Sequence, residues 1–207
     1  MRGRSDDGNN GDLFKDLAFL DESDHPMLKG LGDFLKKPDE PLGFSYYFRW
    51  IPEKPPHGQL YMNLGYQVTE SLRLGIDWRP KTGDVTPLIN WRVFAEDDGW
   101  RPALIVGMSN DDFGDINSDS YYATFSKYVG TFRGVDFSAY AGATHIEELS
   151  ETRPVGGIHW RKDAWSGLFM YSGVDEHISV SRSFGRHTVT FLMFDLKLPG
   201  MAYSFSF

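Results

Sequence analysis

The chain has 207 residues, which is enough for one domain of ordinary size and a short extension but not for two full domains. Its formal net charge is −8 and its mean hydropathy is −0.40, and no stretch approaches the roughly 20 consecutive apolar residues of a membrane-spanning helix. Because the pI is near 5.2, phosphate groups would be repelled, so no nucleic-acid partner is expected. The sequence contains no cysteine, which excludes disulfides, thiolate zinc sites and cysteine nucleophiles.

Residues 1–41 form an acidic N-terminal segment. They carry six Lys/Arg and ten Asp/Glu, a net charge of −4, and only three aromatic residues. The first 11 residues are polar and are predicted to be disordered, and apolar residues at helical spacing then predict two short helices. We interpret the segment as a loosely attached amphipathic extension; the alternatives are a plug inside a barrel and an arm that binds a periplasmic or surface protein. The helical positions are Leu13, Phe14, Leu17 and Leu20, then Met27, Leu28, Leu31, Phe34 and Leu35.

From residue 42 to residue 207 the pattern changes to a period of two. Apolar residues alternate with polar or small ones in 12 segments, which clusters of Gly, Pro, Asp and Asn separate, and no helix-length segment interrupts them. This pattern predicts an all-β domain. Tight connections are predicted near 69–70, 96–99, 129–131, 162–163 and 184–186, and longer ones near 52–57, 80–84, 110–119 and 144–152.

The two faces of these segments differ in a way that is typical of membrane barrels. In one segment Leu72, Leu74 and Ile76 alternate with Arg73 and Asp77. The apolar faces match the ~9–11 residues of a tilted strand that crosses a bilayer, and Trp and Tyr concentrate at the segment ends, where the membrane interfaces would lie. The sequence therefore predicts a closed antiparallel transmembrane β-barrel of about 12 strands in the bacterial outer membrane, in contact with lipid and lipopolysaccharide.

Ten polar side chains lie on the face opposite the apolar stripe and form the predicted lumen lining. Their arginine excess suits two roles: Arg–carboxylate pairs that cross-link and fill the barrel, or a pore that favours anionic solutes, including acidic sugars. The ten residues are Arg49, Arg73, Asp77, Arg79, Asn90, Arg92, Arg101, Asp136, His159 and Arg161.

The chain ends in alternating aromatic residues, since Tyr203, Phe205 and Phe207 share one face of the last segment. This ending resembles the C-terminal signature of Gram-negative outer-membrane β-barrel proteins, and the resemblance covers residues 43–207. In that class the assembly machinery recognises the terminal strand. The resemblance therefore implies that Tyr203, Phe205 and Phe207 serve membrane insertion by the barrel assembly machinery.

A second, shorter resemblance lies inside the barrel segment. Residues 102–107, the loop 110–119 and residues 121–127 are similar to a stretch of outer-membrane barrels of the YjbH type, and 156–160 are similar to a later strand of that family. This resemblance implies a link to exopolysaccharide production and export. The expected function is a barrel without catalytic activity that acts as a small channel, or as an accessory scaffold linked to polysaccharide export.

Two features of the sequence limit this interpretation. Residues 1–7 lack the apolar region of a signal peptide, so we expect that a leader has been removed from the chain. Asp115, Asn117 and Asp119 have the spacing of a calcium-binding loop, but Ser120 and Ser126 stand where such a loop requires Gly and Glu. No metal site and no cofactor are predicted.

Two other functions fit parts of the pattern. A soluble ligand-binding barrel of the lipocalin type would place the apolar face inward and the charges outward. A lipid-modifying outer-membrane enzyme would need a catalytic His and Ser, and His177 and Ser179 lie two residues apart on one face, although no third group is evident.

Overall fold

The computed structural model describes residues 43–54, 56–113 and 116–207, and these residues form a closed barrel of 12 antiparallel strands. The predicted fold class is confirmed. A single helical turn, α1 (Pro56–Gln59), lies between the first two strands. The strands are β1 (Phe44–Trp50), β2 (Leu60–Gln67), β3 (Leu72–Arg79), β4 (Asp84–Phe94), β5 (Ala103–Phe113), β6 (Ile116–Phe132), β7 (Val135–Ile146), β8 (Glu151–Lys162), β9 (Trp165–Tyr171), β10 (Glu176–Phe184), β11 (His187–Phe194) and β12 (Leu198–Ser206).

Each strand pairs with its neighbours in the sequence, and β1 pairs with β12 to close the barrel. At this seam the Phe44 amide donates to the Phe207 carbonyl at 2.8 Å and the Phe207 amide donates to the Phe44 carbonyl at 2.9 Å. Closure pairs both the first and the last strand on two sides, so neither presents the unpaired edge that an open sheet would expose.

The connections alternate between the two ends of the barrel. One end, which we call the terminal end, holds the start of β1, the C-terminus and the connections 68–71, 95–102, 133–134, 163–164 and 185–186. The other, the far end, holds the connections 51–59, 80–83, 147–150, 172–175 and 195–197 and the tip of the β5–β6 hairpin.

Two predicted connections are wrong. Residues 110–119 continue the β5–β6 ladder, which pairs Asn110 with Asp119 and reaches as far as Phe113 opposite Ile116. The Asp, Asn and Gly composition of this stretch is that of a loop, but the strand pairing continues into it. Residues 129–131 belong to β6, where the register shifts between Tyr128 and Gly130. The glycine therefore marks a β-bulge, and the turn follows it at Arg133 and Gly134.

On β3, whose alternation is described in the sequence analysis, the inward side chains are polar and the outward side chains are apolar. Leu74 and Ile76 are 41% and 49% exposed, whereas Arg73 and Asp77 on the same strand are 0% exposed. Successive side chains of a strand point to opposite faces, so this one alternation fixes the orientation of the whole wall. The lipocalin-type alternative requires the opposite orientation and does not fit.

Exterior aromatic side chains gather toward both ends of the barrel. At the terminal end, Trp165 and Phe184 flank the Arg182 guanidinium, whose Cζ lies 5.1 Å and 4.9 Å from the two ring centroids. At the far end, Trp50 and Trp78 are both 45% exposed. These are the positions at which a membrane barrel places its aromatic girdles.

No helix among the described residues is long and apolar enough to cross a membrane. The acidic segment 1–41, with its two predicted helices and its predicted role as extension, plug or arm, lies outside the described residues.

The outer wall contains an aromatic ring packed over a glycine. Trp160 on β8 is directly opposite Gly167 on β9, and a Cβ built on Gly167 would lie 2.5 Å from both Cε2 and Nε1 of the Trp160 ring. Only glycine therefore lets the indole lie flat across the neighbouring strand.

We expect the Gly167→Val substitution to destabilise the barrel by about 1–3 kcal/mol, because the indole must leave its position. In a Trp160→Leu background the same substitution should cost at least about 0.5 kcal/mol less, as residues in contact are energetically coupled. Urea unfolding of the four proteins in detergent, followed by fluorescence, measures this coupling. Additive costs would show that the ring does not depend on the glycine.

Candidate functional site

The most polar part of the interior lies on β1 to β4. Two donors converge on one carboxylate oxygen there: the Tyr61 hydroxyl and the Asn63 Nδ2 each lie 2.6 Å from Asp77 Oδ1. The register brings these residues together, because Asn63 is directly opposite Asp77. Hydrogen bonds to an ionised group are stronger than neutral ones, so this network holds Asp77 in a fixed position.

Two arginines flank the Tyr61 ring. Arg49 Cζ lies 5.0 Å and Arg79 Cζ 5.7 Å from its centroid, and Arg49 is directly opposite Tyr61 in the β1–β2 register. Guanidinium groups are attracted to aromatic faces at such distances. Arg49, Tyr61 and Arg79 are all buried, so their charges act through a medium of lower polarity than water.

A third arginine lies closer to the terminal end. Arg73 Nη2 donates to Ser45 Oγ at 2.5 Å and to Asn63 Oδ1 at 3.2 Å. A Cβ built on Gly65 would lie 2.3 Å from Arg73 Nε and Nη2, so the glycine makes room for the guanidinium. Arg73 is directly opposite Asn90 on β4. We call Arg49, Arg73, Asp77, Arg79 and Asn90 the arginine wall.

The other five residues predicted to line the lumen are placed differently. His159 on β8 is buried and opposite Ser138, far from the arginine wall in the strand order. Asp136 and Arg161 are opposite each other, partly exposed and close to the terminal end. Arg92 also lies toward the terminal end, where it is partly exposed and donates to the Glu70 carbonyl at 3.0 Å.

Arg101 departs from the prediction. It lies outside the strands, in the connection 95–102, and forms an ion pair with Asp97 at 3.7 Å, where its side chain is 54% exposed. The alternation ends before the connection, so the parity of a residue at this position carries no information about the lumen.

Sequence reasoning missed the uncharged members of the polar network. Ser45, Tyr61 and Asn63 share the inward parity of Arg49 and Arg73 and are buried with them. The alternation alone could have identified them, because it includes every second residue, whatever its charge.

The predicted lumen lining also left out an apolar part of the interior. On β5 to β9 the inward positions include aliphatic and aromatic side chains, which we call the apolar wall. Tyr140 lies against Gly157, where a Cβ would be 2.7 Å from the ring carbon Cε1, and Tyr122 lies against Gly107 in a similar way. The apolar wall consists of Ile105, Tyr122, Tyr140, Val155, Leu168 and Met170.

His177, the candidate for a lipid-modifying enzyme, packs at the far end. Its ring lies 4.1 Å from the Phe194 ring between centroids, and its Nδ1 accepts the Asp195 amide at 3.1 Å. As a catalytic base that activates Ser179, His177 would need a ring nitrogen directed at the Ser179 hydroxyl. The two contacts observed support the 195–197 connection.

The aromatic residues of the C-terminal strand lie at the barrel seam. Phe207 stacks on Phe205 and on Phe44, with centroids 5.4 Å and 5.7 Å apart, and the Tyr203 hydroxyl lies 2.7 Å from His187 Nδ1. Tyr203, Phe205 and Phe207 are at least partly exposed on the outer surface. They are therefore accessible on the outside of the strand that closes the barrel.

No group of three or more His, Cys, Asp or Glu side chains among the described residues could hold a metal ion.

Comparisons with known proteins point to a distant structural likeness. No family model matches the chain, and no curated protein matches it. An outer-membrane channel from Pseudomonas putida F1 is similar at 10% sequence identity and a TM-score of 0.38, over 83% of this chain and 99% of that chain. A likeness this distant does not transfer a function, so the function of this chain must be argued from the geometry of its own barrel.

We expect Asp77→Ala to destabilise the barrel by about 2–4 kcal/mol, because it removes the carboxylate that accepts from the buried Tyr61 hydroxyl and Asn63 amide. Glu151→Gln is a suitable control: this exposed carboxylate pairs with Arg153 at 2.7 Å, and its loss should change stability by less than about 0.5 kcal/mol. Urea unfolding in detergent measures both. Equal effects would contradict a buried network around Asp77.

Proposed function

We propose that this protein is a β-barrel of the bacterial outer membrane. The observation that carries the proposal is the orientation of the wall: exposed apolar side chains such as Ile76 and Phe125 cover the outside, and charged side chains such as Arg73 are turned inward. In hydrocarbon every backbone group must be paired within the protein, and a closed barrel meets that requirement. Soluble monomers rarely expose a continuous apolar belt of this kind.

We infer further that the interior is a narrow passage that favours anionic solutes. Among the described side chains of the arginine wall, three arginines accompany one carboxylate. Positive side chains along a pore favour anions over cations. The three arginines occupy different levels of the barrel, since Arg49 and Arg79 lie near the far end of their strands and Arg73 near the terminal end. An anion would therefore meet a positive group along most of its path.

A second candidate is an accessory role in polysaccharide export, with an acidic saccharide as the solute. The supporting observation is the pair of tyrosines, Tyr122 and Tyr140, that lie against Gly107 and Gly157 on the apolar wall. Sugar rings have an apolar face that can pack on an aromatic ring and hydroxyl or carboxylate groups that can bind arginine. The two walls together offer both kinds of contact.

The exterior of the last strand supports a role in assembly. We propose that Tyr203, Phe205 and Phe207 are recognised by the barrel assembly machinery, because they present an aromatic stripe on the strand that closes the barrel. We also propose that the barrel carries no catalytic activity.

The experiment that tests the passage is the ion selectivity of single openings in a planar bilayer under a KCl gradient. We expect the 207-residue chain to show anion-selective openings. Arg73→Gln should shift the reversal potential toward that of a non-selective pore, because it removes a buried positive charge.

Arg182→Gln is the matched control, since Arg182 lies on the outer wall between Trp165 and Phe184. It should leave the reversal potential unchanged. Cation-selective openings, or openings whose selectivity does not respond to Arg73→Gln, would contradict the proposed passage.

A further inference from the structure

Three inward polar side chains on β7, β8 and β9 have no hydrogen-bond partner among the described residues. They are Ser138, His159 and Ser166, and the unpaired atoms are the two hydroxyl oxygens and both ring nitrogens of the histidine. Ser138 is 0% exposed, His159 3% and Ser166 1%. Buried polar groups in native proteins are nearly always paired, because an unpaired one loses its hydration without compensation. We call these three residues the histidine cluster and ask what would pair with them.

The strand register brings the histidine cluster together. His159 is directly opposite Ser138, and the Cβ atoms of such a pair lie about 4.5–5.5 Å apart. Ser166 is directly opposite Arg161, which follows His159 by two residues on the same face, so Ser166 and His159 are diagonal neighbours. The four unpaired atoms on three adjacent strands therefore line one part of the lumen.

A serine next to the histidine cluster has a partner. Ser181 on β10 is directly opposite Ser166 and is also buried, but its hydroxyl lies 2.8 Å from the Thr190 hydroxyl. Pairing between neighbouring hydroxyl groups is thus possible on this side of the barrel. The unpaired hydroxyl of Ser166 is a property of its own position and not of every inward serine.

Part of the apolar wall borders the histidine cluster. Leu168 is directly opposite His159, and Gly157 lies two residues before His159 on the same face. A Cβ built on Gly157 would lie 2.7 Å from Tyr140 Cε1 and 3.0 Å from Tyr140 Oη, so the glycine admits the tyrosine ring beside the histidine. Sites for small molecules have this composition, in which apolar and aromatic side chains surround a few polar groups.

The chemistry of the unpaired atoms indicates the class of ligand. A neutral imidazole offers one donor and one acceptor, and a serine hydroxyl can serve as either. The nearest charged neighbours, Asp136 and Arg161, are directly opposite each other at the edge of the histidine cluster. Sugar hydroxyl groups also donate and accept, and a sugar ring has an apolar face that can pack on the Tyr140 ring. An uncharged sugar ring therefore matches both the polar and the apolar groups.

We propose that the histidine cluster binds the hydroxyl groups of a sugar ring inside the lumen. Tyr140 and Leu168 contact the apolar face of that ring. This inference rests on the proposed function, because it places a binding site for the saccharide in the passage itself.

The test is calorimetric titration of the 207-residue chain in lipid nanodiscs with D-glucose, D-galactose and N-acetyl-D-glucosamine, each added singly. We expect saturable binding of at least one of them. His159→Phe keeps a ring and removes both nitrogens, so it should raise the Kd at least about tenfold. Ser138→Ala and Ser166→Ala each remove one hydrogen bond and should raise the Kd about three- to tenfold.

Two controls test the specificity of this effect. Ser181→Ala removes the same group from the opposite buried position, where Thr190 is its partner, and should leave the Kd unchanged. Sorbitol has similar hydroxyl groups but no ring face, and it should bind at least about tenfold more weakly than the sugar. Equal effects of Ser166→Ala and Ser181→Ala, or equal binding of sorbitol, would contradict the proposed contacts.

Urea unfolding of the sugar-free protein separates a binding role from a structural one. His159→Phe and Ser166→Ala should leave the midpoint unchanged or raise it, because each removes an uncompensated polar group. Ser181→Ala should lower the midpoint, because it breaks the bond to Thr190. If His159→Phe and Ser166→Ala lower the midpoint while sugar binding stays the same, the histidine cluster supports the fold and the inference is overturned.

Bilayer recordings distinguish failure of this inference from failure of the proposed function. Sugar binding that responds to His159→Phe, together with anion-selective openings, supports both proposals. The same binding without any current supports the sugar site and contradicts the passage. Anion-selective openings without binding of any of the three sugars overturn the sugar site and leave the passage standing.

Discussion

The position of charge relative to the apolar surface is the constraint on which the rest of the structure depends. A Lys or Arg that faced hydrocarbon near the midplane of a bilayer would cost roughly 2–4 kcal/mol. Strand geometry sends alternate side chains to opposite faces, so once Arg73 and Asp77 turn inward, Leu74 and Ile76 must turn outward. Pairing of β1 with β12 then satisfies the backbone without leaving an edge. The orientation of the side chains, their alternation along each strand and the closure of the barrel all follow from keeping charged and unpaired polar groups out of hydrocarbon.

Inward charges create a second requirement, because they too must be stabilised. The arginine wall meets part of it locally: the Tyr61 hydroxyl and the Asn63 amide bind Asp77, and the Tyr61 ring lies between Arg49 and Arg79. Among the described members of the arginine wall, three arginines accompany one carboxylate, and the proposed preference for anions rests on this excess. An anionic solute from outside is suited to such a lining, which is the basis of the proposed passage.

The sequence allowed most of the fold, and part of the interior polar site, to be predicted. Alternation is a local property, so it identified the strands, their number and the inward parity of Arg49, Arg73, Asp77, Arg79 and Asn90. It failed where composition imitates a loop, as at 110–119, or where a bulge carries a glycine, as at Gly130. The network around Asp77 depends on register between strands, which no single segment encodes, and the apolar wall breaks the rule that inward residues are polar. Arg101 shows that parity cannot be extended past the end of a strand.

The measurement that tests the orientation most directly uses consecutive residues of β10, where Ile178 and Val180 are exposed and Ser179 and Ser181 are buried. Each of the four is replaced singly by cysteine, labelled with bimane in urea and refolded into vesicles that contain brominated phospholipid. Bromine quenches fluorophores in contact with the acyl chains, so the account predicts strong quenching at 178 and 180 and weak quenching at 179 and 181. Uniform quenching along the strand, or the inverse pattern, would contradict it.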